Sequence, residues 1–223
     1  KFERVKARIS PYWWNAIYQQ RPRPREGAMF PVENLKWCDA CPNGLTYVRF
    51  WDKAATENAG CFTAGVLMGR SPQGLYYVKN VRMGQWSAMR REGIIRDTAE
   101  EDGHAVHIYH EREPGSGGKD SAENTTRNLA GYTVFEDLVT GSKEERAQPL
   151  AAQVEAGNVY VERDTEGDRW NKAFKDQLRD FPRGKFKDVV DAAAGAFNKL
   201  AAKRSSGRCV YGPRRISVGL RIR

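Results

Sequence analysis

The stretch 45–56, LTYVRFWDKAAT, decides the fold, because it sets one carboxylate, Asp52, near the end of an otherwise apolar and aromatic run. Tyr47, Val48, Phe50 and Trp51 are strand formers. A repeat of two puts Val48, Phe50 and Asp52 on one face of that strand and Tyr47, Arg49 and Trp51 on the other. Such a strand is central to its sheet. A lone acid at its end is either the cap of the next turn or one member of a metal-binding set completed from elsewhere in the chain.

Working outward, CFTAGVLMGR (61–70), the turn SPQG (71–74) and LYYVKNVRM (75–83) read as two extended runs joined by a short Pro/Gly turn. The first three strands therefore form an antiparallel meander. The polar stretch 86–102, with Met89, Ile94 and Ile95, predicts a half-buried helix ended by Gly103. AVHIYHERE (105–113) is a fourth strand, and a helical crossover allows it to run parallel to an earlier one. Glu111 and Glu113 share one face at its end. The segment PGSGGKD (114–120) invites a phosphate-loop reading, which fails: Glu113 stands where the Walker pattern needs its first glycine, and Asp120 where it needs Ser or Thr. What remains is a tight turn into a helix from about Lys119, with Ala122, Thr126 and Leu129 as its stripe and Gly131 as its stop.

YTVFEDLV (132–139) is a fifth strand, followed by the loop TGSKEERAQ (140–148), a short helix from Pro149 closed by Gly157, and a sixth strand, NVYVERD (158–164). Asp168 then caps an amphipathic helix presenting Trp170, Phe174, Leu178 and Phe181. In the last helix, KDVVDAAAGAFNKLAAK (187–203), Val190, Ala193, Ala194, Phe197 and Ala201 make the buried stripe. Asp188 and Asp191 lie on an adjoining face, and Gly195 projects between them, leaving room beside the acids. Acids in a first turn favour the positive end of the helix. That accounts well for one of them, and not for a helix-interior glycine, which costs about 1 kcal/mol against alanine.

The chain's 223 residues, 40% of them hydrophobic, suffice for one main domain plus an appendage. Residues 1–35 read as a linker-like segment: a short helix capped by Ser10 and Pro11, then RPRPREG. Residues 204–223 are a basic tail, either an edge strand or a flexible arm. With 37 basic and 28 acidic residues the net charge is +9, which favours a polyanionic partner. No run approaches the roughly 20 apolar residues of a membrane span and no signal-peptide core opens the sequence, so a cytoplasmic protein without a membrane partner is expected. Cys38, Cys41, Cys61 and Cys209 show no disulfide framework, and the CxxC at Cys38 and Cys41 has no second half to complete a zinc site. His104, His107 and His110 scatter over both strand faces, against a metal or general-base role.

Acids thus gather at the end of the first strand (Asp52), the end of the fourth (Glu111, Glu113) and the start of the last helix (Asp188, Asp191). If the two strands are neighbours, those ends meet. Oxygen-rich sites of this kind suit a pair of Mg²⁺ or Mn²⁺ ions, which activate water and stabilise the leaving oxygen of a phosphodiester. This is the ribonuclease H-like plan: an α/β fold with a mixed sheet, an antiparallel meander of three strands plus parallel strands, flanked by helices.

Three segments, HEREPGSGGKDSAENTTRNLAG (110–131), TGSKEERAQPLAAQVEAGNV (140–159) and FPRGKFKDVVDAAAGAFNKL (181–200), closely resemble the nuclease domain of the large terminase subunit of tailed bacteriophages. WDKAAT (51–56) resembles the family's first-acid motif, and WNAIYQQRPRPREGAMF (14–30) is similar to the stretch joining its ATPase and nuclease domains. The resemblance implies a linker over 1–35, a nuclease domain over 36–203 and a tail over 204–223. It also implies a metal-dependent endonuclease that cuts double-stranded DNA with little sequence preference during genome packaging in the cytoplasm of the infected host cell. The small terminase subunit and the portal protein are its implied partners. Asp52 falls on the family's first acid, Asp188 on the second acid of the pair before the final helix, and Asp191 on the aspartate one turn later. Lys187 and Phe186 depart from the pattern. Relatives carry the remaining acid at the place of Glu111, of Glu113 or of both, and Glu113 is preferred for its nearness to the glycine turn. Lys119, Lys143 and Arg146 recur in the family's motifs and are implied phosphate contacts. A junction resolvase shares the acid layout without the linker-like start or the GSGGKD segment, and a non-catalytic DNA-binding and docking module would use the acids as caps.

Overall fold

Period-two alternation of β-branched and aromatic residues produces seven strands: β1 (Lys36–Cys38), β2 (Thr46–Asp52), β3 (Thr63–Arg70), β4 (Tyr76–Gly84), β5 (His107–Arg112), β6 (Val134–Leu138) and β7 (Val159–Glu162). A computed structural model describes residues 29–53, 62–113, 115–138, 140–164 and 169–202. Five helices complete it: α1 (Ala88–Asp102), α2 (Ser116–Asn128), α3 (Lys143–Glu155), α4 (Arg169–Asp180) and α5 (Asp188–Ala202). Among the described residues, no helix is long and apolar enough to cross a membrane.

The strands form one sheet in the order β1-β7-β4-β3-β2-β5-β6. The expected meander is present, since β2–β3 and β3–β4 pair antiparallel. The crossover through α1 returns β5 parallel to β2, with Val48 opposite His107 and Trp51 opposite His110. The strand at 45–52 is therefore central, flanked by β3 and β5, and β6 extends the sheet in parallel beyond β5.

Alternation along β2 sends its side chains into two separate cores. Val48 and Phe50 join Val66, Met68, Val78, Phe174, Leu178, Val190 and Phe197 in the larger one, under α3, α4 and α5. Trp51 joins Ile95, Ala99, Ile108 and Leu129 in the smaller one, under α1 and α2. The result is three layers, with α5 the most deeply set helix: eight of its apolar side chains, Val189, Val190, Ala192, Ala193, Ala194, Ala196, Phe197 and Leu200, are buried. On the opposite face of β2, Arg49 is 1% exposed. Its guanidinium donates to Asp102 at 2.7 and 2.8 Å, to the Gly65 carbonyl at 3.1 Å and to Asn80 at 3.1 Å, joining three strands to the end of α1.

Several boundaries differ from the sequence reading. Phe30, Val32 and Leu35 lie in the larger core, so the folded body begins before residue 36, inside the stretch read as linker. Helix α2 starts at Ser116 rather than Lys119, and Thr125 rather than Thr126 is its buried threonine. Helix α3 starts at Lys143, not Pro149: Ser142 caps it, its hydroxyl accepting from the Glu145 amide while the Glu145 carboxylate accepts from the Ser142 amide. Pro149 sits inside the helix. Asp168 and the tail at 204–223 lie outside the described residues.

Candidate functional site

The parallel pairing of β2 with β5 assembles the site. Asp52 and Glu111 each stand one residue beyond the last registered pair, Trp51 with His110. They therefore lie side by side, and their carboxyl groups are within hydrogen-bonding contact. The first turn of α5 adds two more acids. Asp188 is buried, its carboxylate accepting from the Phe62 amide at 3.2 Å, and Asp191 is buried one turn later. From α3, Lys143 pairs with one oxygen of Asp191 and Arg146 approaches the other at 3.4 Å. The Asn198 side chain donates to the Arg146 carbonyl at 3.1 Å and holds α3 to α5.

These charges are poorly hydrated and act on one another. Burial pushes the Asp52 carboxyl well above the ordinary carboxylate range, and the neighbouring Glu111 and Asp191 push the same way. Burial raises Glu111 too, against the pull of Arg146 and the hydrogen bond with Asp52. It also raises Asp191, against Lys143 and Arg146. For Lys143, burial alone would favour the neutral amine, but Asp191, Asp52 and Asp188 outweigh it and hold the ammonium above its usual pKa. The surplus is negative: four carboxyls face two cationic side chains. Such a site takes up either protons or an added cation. Among the described residues, no three His, Cys, Asp or Glu side chains converge tightly enough to enclose a metal ion as they stand.

Of the predicted residues, Asp52, Glu111, Asp188, Asp191, Lys143 and Arg146 come together. Glu113 and Lys119 do not. Strand β5 ends at Arg112, and the chain then turns so tightly that a Cβ on Gly118 would lie 2.2 Å from the Glu113 carbonyl oxygen. Glu113 consequently leaves the strand's alternation. It is exposed, and its charge is felt by Lys53, on the opposite side of the sheet from Asp52. Glu111, and not the preferred Glu113, is therefore the glutamate that lies beside Asp52. Lys119 pairs with Glu123 at 3.7 Å on the exposed face of α2.

Gly195 leaves no space beside the acids. A Cβ there would lie 2.6 Å from the Phe50 ring, so the glycine admits Phe50 against α5. His110 is fully buried on the α2 side, its Nε2 3.1 Å from the Thr126 hydroxyl, and burial lowers its pKa to about 4, consistent with a neutral structural residue. At the sheet's far edge the backbone amide of Cys41 donates to Glu162 at 2.6 Å. The CxxC thus joins a turn to β7.

The residue read only as part of a motif is Lys53. Its ammonium donates to the Ser121 carbonyl and hydroxyl, each at 3.3 Å, and to the Thr125 hydroxyl at 3.0 Å, fixing the exit of β2 to α2 directly behind Asp52. Burial lowers its pKa to about 8. Its place next to Asp52 was the available signal, but alternation alone does not say which helix it meets.

The family "Terminase RNaseH-like domain" matches residues 49–200 of the chain. Among solved structures, the magnesium-bound large terminase nuclease of thermophilic phage G20c superimposes with a TM-score of 0.59 at 16% identity, over 79% of this chain and 99% of that one. Its zinc-bound form gives 0.57 at 15% identity, over 78% and 99%. The large terminase of bacteriophage HK97 gives 0.52 at 10% identity, covering 86% of this chain and 44% of that one. At these identities the likeness establishes the ribonuclease H-like fold. No curated protein sequence matches the chain. The family match spans the central strand, the crossover to β5 and the acid-bearing turn of α5, and the chain belongs to the terminase ribonuclease H-like domain family.

Proposed function

We propose that the chain is a metal-dependent endonuclease that hydrolyses double-stranded DNA with little sequence preference during the packaging of a phage genome. The observation that carries this reading is the buried cluster of four carboxyls, Asp52, Glu111, Asp188 and Asp191, in which burial first and neighbouring carboxylates second raise the pKa values of Asp52, Glu111 and Asp191. Their hard oxygen donors fit Mg²⁺ or Mn²⁺. Asp52, Glu111 and Asp188 would hold the ions, with Asp191 joining as Lys143 withdraws. When bound, a pair of such ions activates water and neutralises charge on the phosphodiester.

The chain's own groups do the rest. Lys143, about half exposed, and Arg146 border the acids and carry the charge to hold a phosphate beside them. Lys53 fixes the end of β2, so that Asp52 is held in place before substrate arrives. Lys119, on the outer face of α2, would contact the DNA backbone further along the duplex. Contacts of that kind position DNA without reading its sequence. Double-stranded DNA is thus the proposed substrate, and the small terminase subunit and the portal protein are the proposed partners in the cytoplasm of the infected host cell.

The test is digestion of a supercoiled plasmid and of a four-way junction with Mg²⁺, with Mn²⁺ and with chelator. Metal-dependent nicking and linearisation of the plasmid is expected. Cutting confined to the junction would identify a resolvase, and equal DNA binding with and without chelator but no cutting would identify a docking module.

A further inference from the structure

Behind Asp52, on the helix α1 and α2 side of the sheet, side chains from three parts of the chain meet. Lys53 follows the end of β2, Thr125 lies fully buried on α2, and Glu92 lies on α1, 9% exposed. The Lys53 ammonium donates to the Thr125 hydroxyl at 3.0 Å. That hydroxyl has one proton to give, with the Ser121 carbonyl at 3.1 Å and Glu92 Oε1 at 3.0 Å as acceptors, and the charged acceptor binds it more strongly. A half-buried cation and a buried anion are thus joined through a single hydroxyl. The Asn128 side chain donates to the Glu92 carbonyl at 2.9 Å and closes α1 onto α2.

Stability alone would not place a carboxylate here. Glu92 Oε2 is buried with no donor among the described residues, while Arg91 Nε reaches only Oε1, at 3.4 Å. A buried acceptor left unsatisfied costs stability. The position of Lys53 gives the carboxylate a task. Strand β2 pairs with β3 as far as Asp52 opposite Ala64, but with β5 only as far as Trp51 opposite His110. Past that pair, Lys53 holds the strand end to α2, the helix that follows β5. We propose that Glu92 is a positioning residue of the acid cluster: through Thr125 it fixes the Lys53 ammonium on α2, and so keeps Asp52 beside Glu111 for a cation to bridge. The inference rests on the proposed nuclease reading.

The experiment compares the wild-type chain with Glu92→Gln, with Lys53→Met and with the two combined. It reads Mn²⁺ affinity by electron paramagnetic resonance, stability in urea and, in chelator, hydrogen exchange of the backbone amides at 52–53. Glu92→Gln is expected to raise the Mn²⁺ dissociation constant about tenfold, the scale of an outer partner of a metal site, and to quicken exchange at 52–53 about as much. Its urea midpoint should stay level or rise. In the Lys53→Met chain the same substitution should change affinity and exchange by less than about twofold, because its route runs through Lys53. Thr125→Ser, which keeps the bridging hydroxyl, should retain wild-type affinity, and Thr125→Val should lose it. Wild-type affinity and exchange in Glu92→Gln overturn the proposal. Equal losses with and without Lys53, or a loss accompanied by a lower urea midpoint, overturn it in favour of a merely structural role. If the wild-type chain binds no Mn²⁺, the nuclease reading falls, and exchange at 52–53 by itself decides whether Glu92 holds the end of β2.

Discussion

Asp52 and Glu111 hold their protons at pH values where exposed carboxyls have lost them, and three predictions follow from that chemistry at the scale of single residues. A carboxyl whose pKa is higher folded than unfolded stabilises the fold fully below its unfolded pKa, and that contribution is lost as pH rises through the folded value. The metal-free chain should therefore melt at progressively lower temperature as pH rises from about 4. Mg²⁺ or Mn²⁺ should restore the loss, most at the higher pH, and a flat melting temperature across that range would show the cluster to be compensated already. Asp52→Asn should raise the metal-free melting temperature at pH 7. The same change should lower cleavage more than about 100-fold, since even outer partners of a metal are worth 10–100-fold. Glu111→Gln should be as damaging, while Glu113→Gln keeps activity within a few-fold; a plasmid assay of the two variants ranks them directly. The sequence read the acids well as a set, because strand ends and a helix start concentrate them. It set Glu113 on the same face as Glu111, but alternation holds only while the strand lasts, and the strand ends at Arg112.

Helix α5 and strand β2 are fitted to each other through Gly195 and Phe50, a close contact in the packing that sets the first turn of α5 beside the end of β2. Gly195→Ala gains about 1 kcal/mol of helix propensity. It must still displace a buried ring, at a typical overpacking cost of about 1–3 kcal/mol. A net loss in urea denaturation is expected, with a loss of metal affinity as the first turn of α5 shifts; unchanged stability would mean that Phe50 yields freely. Arg49→Met leaves Asp102 buried without its partner and should cost about 3–5 kcal/mol, read in the same denaturation experiment. The glycine was recognisable as an anomaly in the sequence, but its partner was not, because nothing local to α5 names the strand it covers. The start of α3 was legible in Ser142 and Glu145, a capping box that the more conspicuous Pro149 obscured. The meander and the parallel return of β5 were legible outright, since turn spacing and a helical crossover leave few topologies open.

At the scale of the whole molecule, the +9 charge should make DNA binding fall steeply with salt, because phosphate contacts release counterions. A binding constant measured across a salt series, in chelator to suppress cutting, should lose several orders of magnitude between about 50 and 200 mM. A shallow slope would assign recognition to something other than the backbone. The fold class was readable from the order of elements, whereas the linker boundary was not, since Phe30, Val32 and Leu35 are too few and too scattered to announce a core. The sheet order also sets a schedule for synthesis. Strand β1 pairs with β7, so Lys36 waits for Tyr160, 124 residues later, about 6–25 s at ribosomal speed. Asp188 and Asp191 emerge later still, on the helix that fills the larger core. A nascent chain therefore lacks the complete acid cluster until α5 is delivered, and on the proposed nuclease reading it would be competent to cut only then.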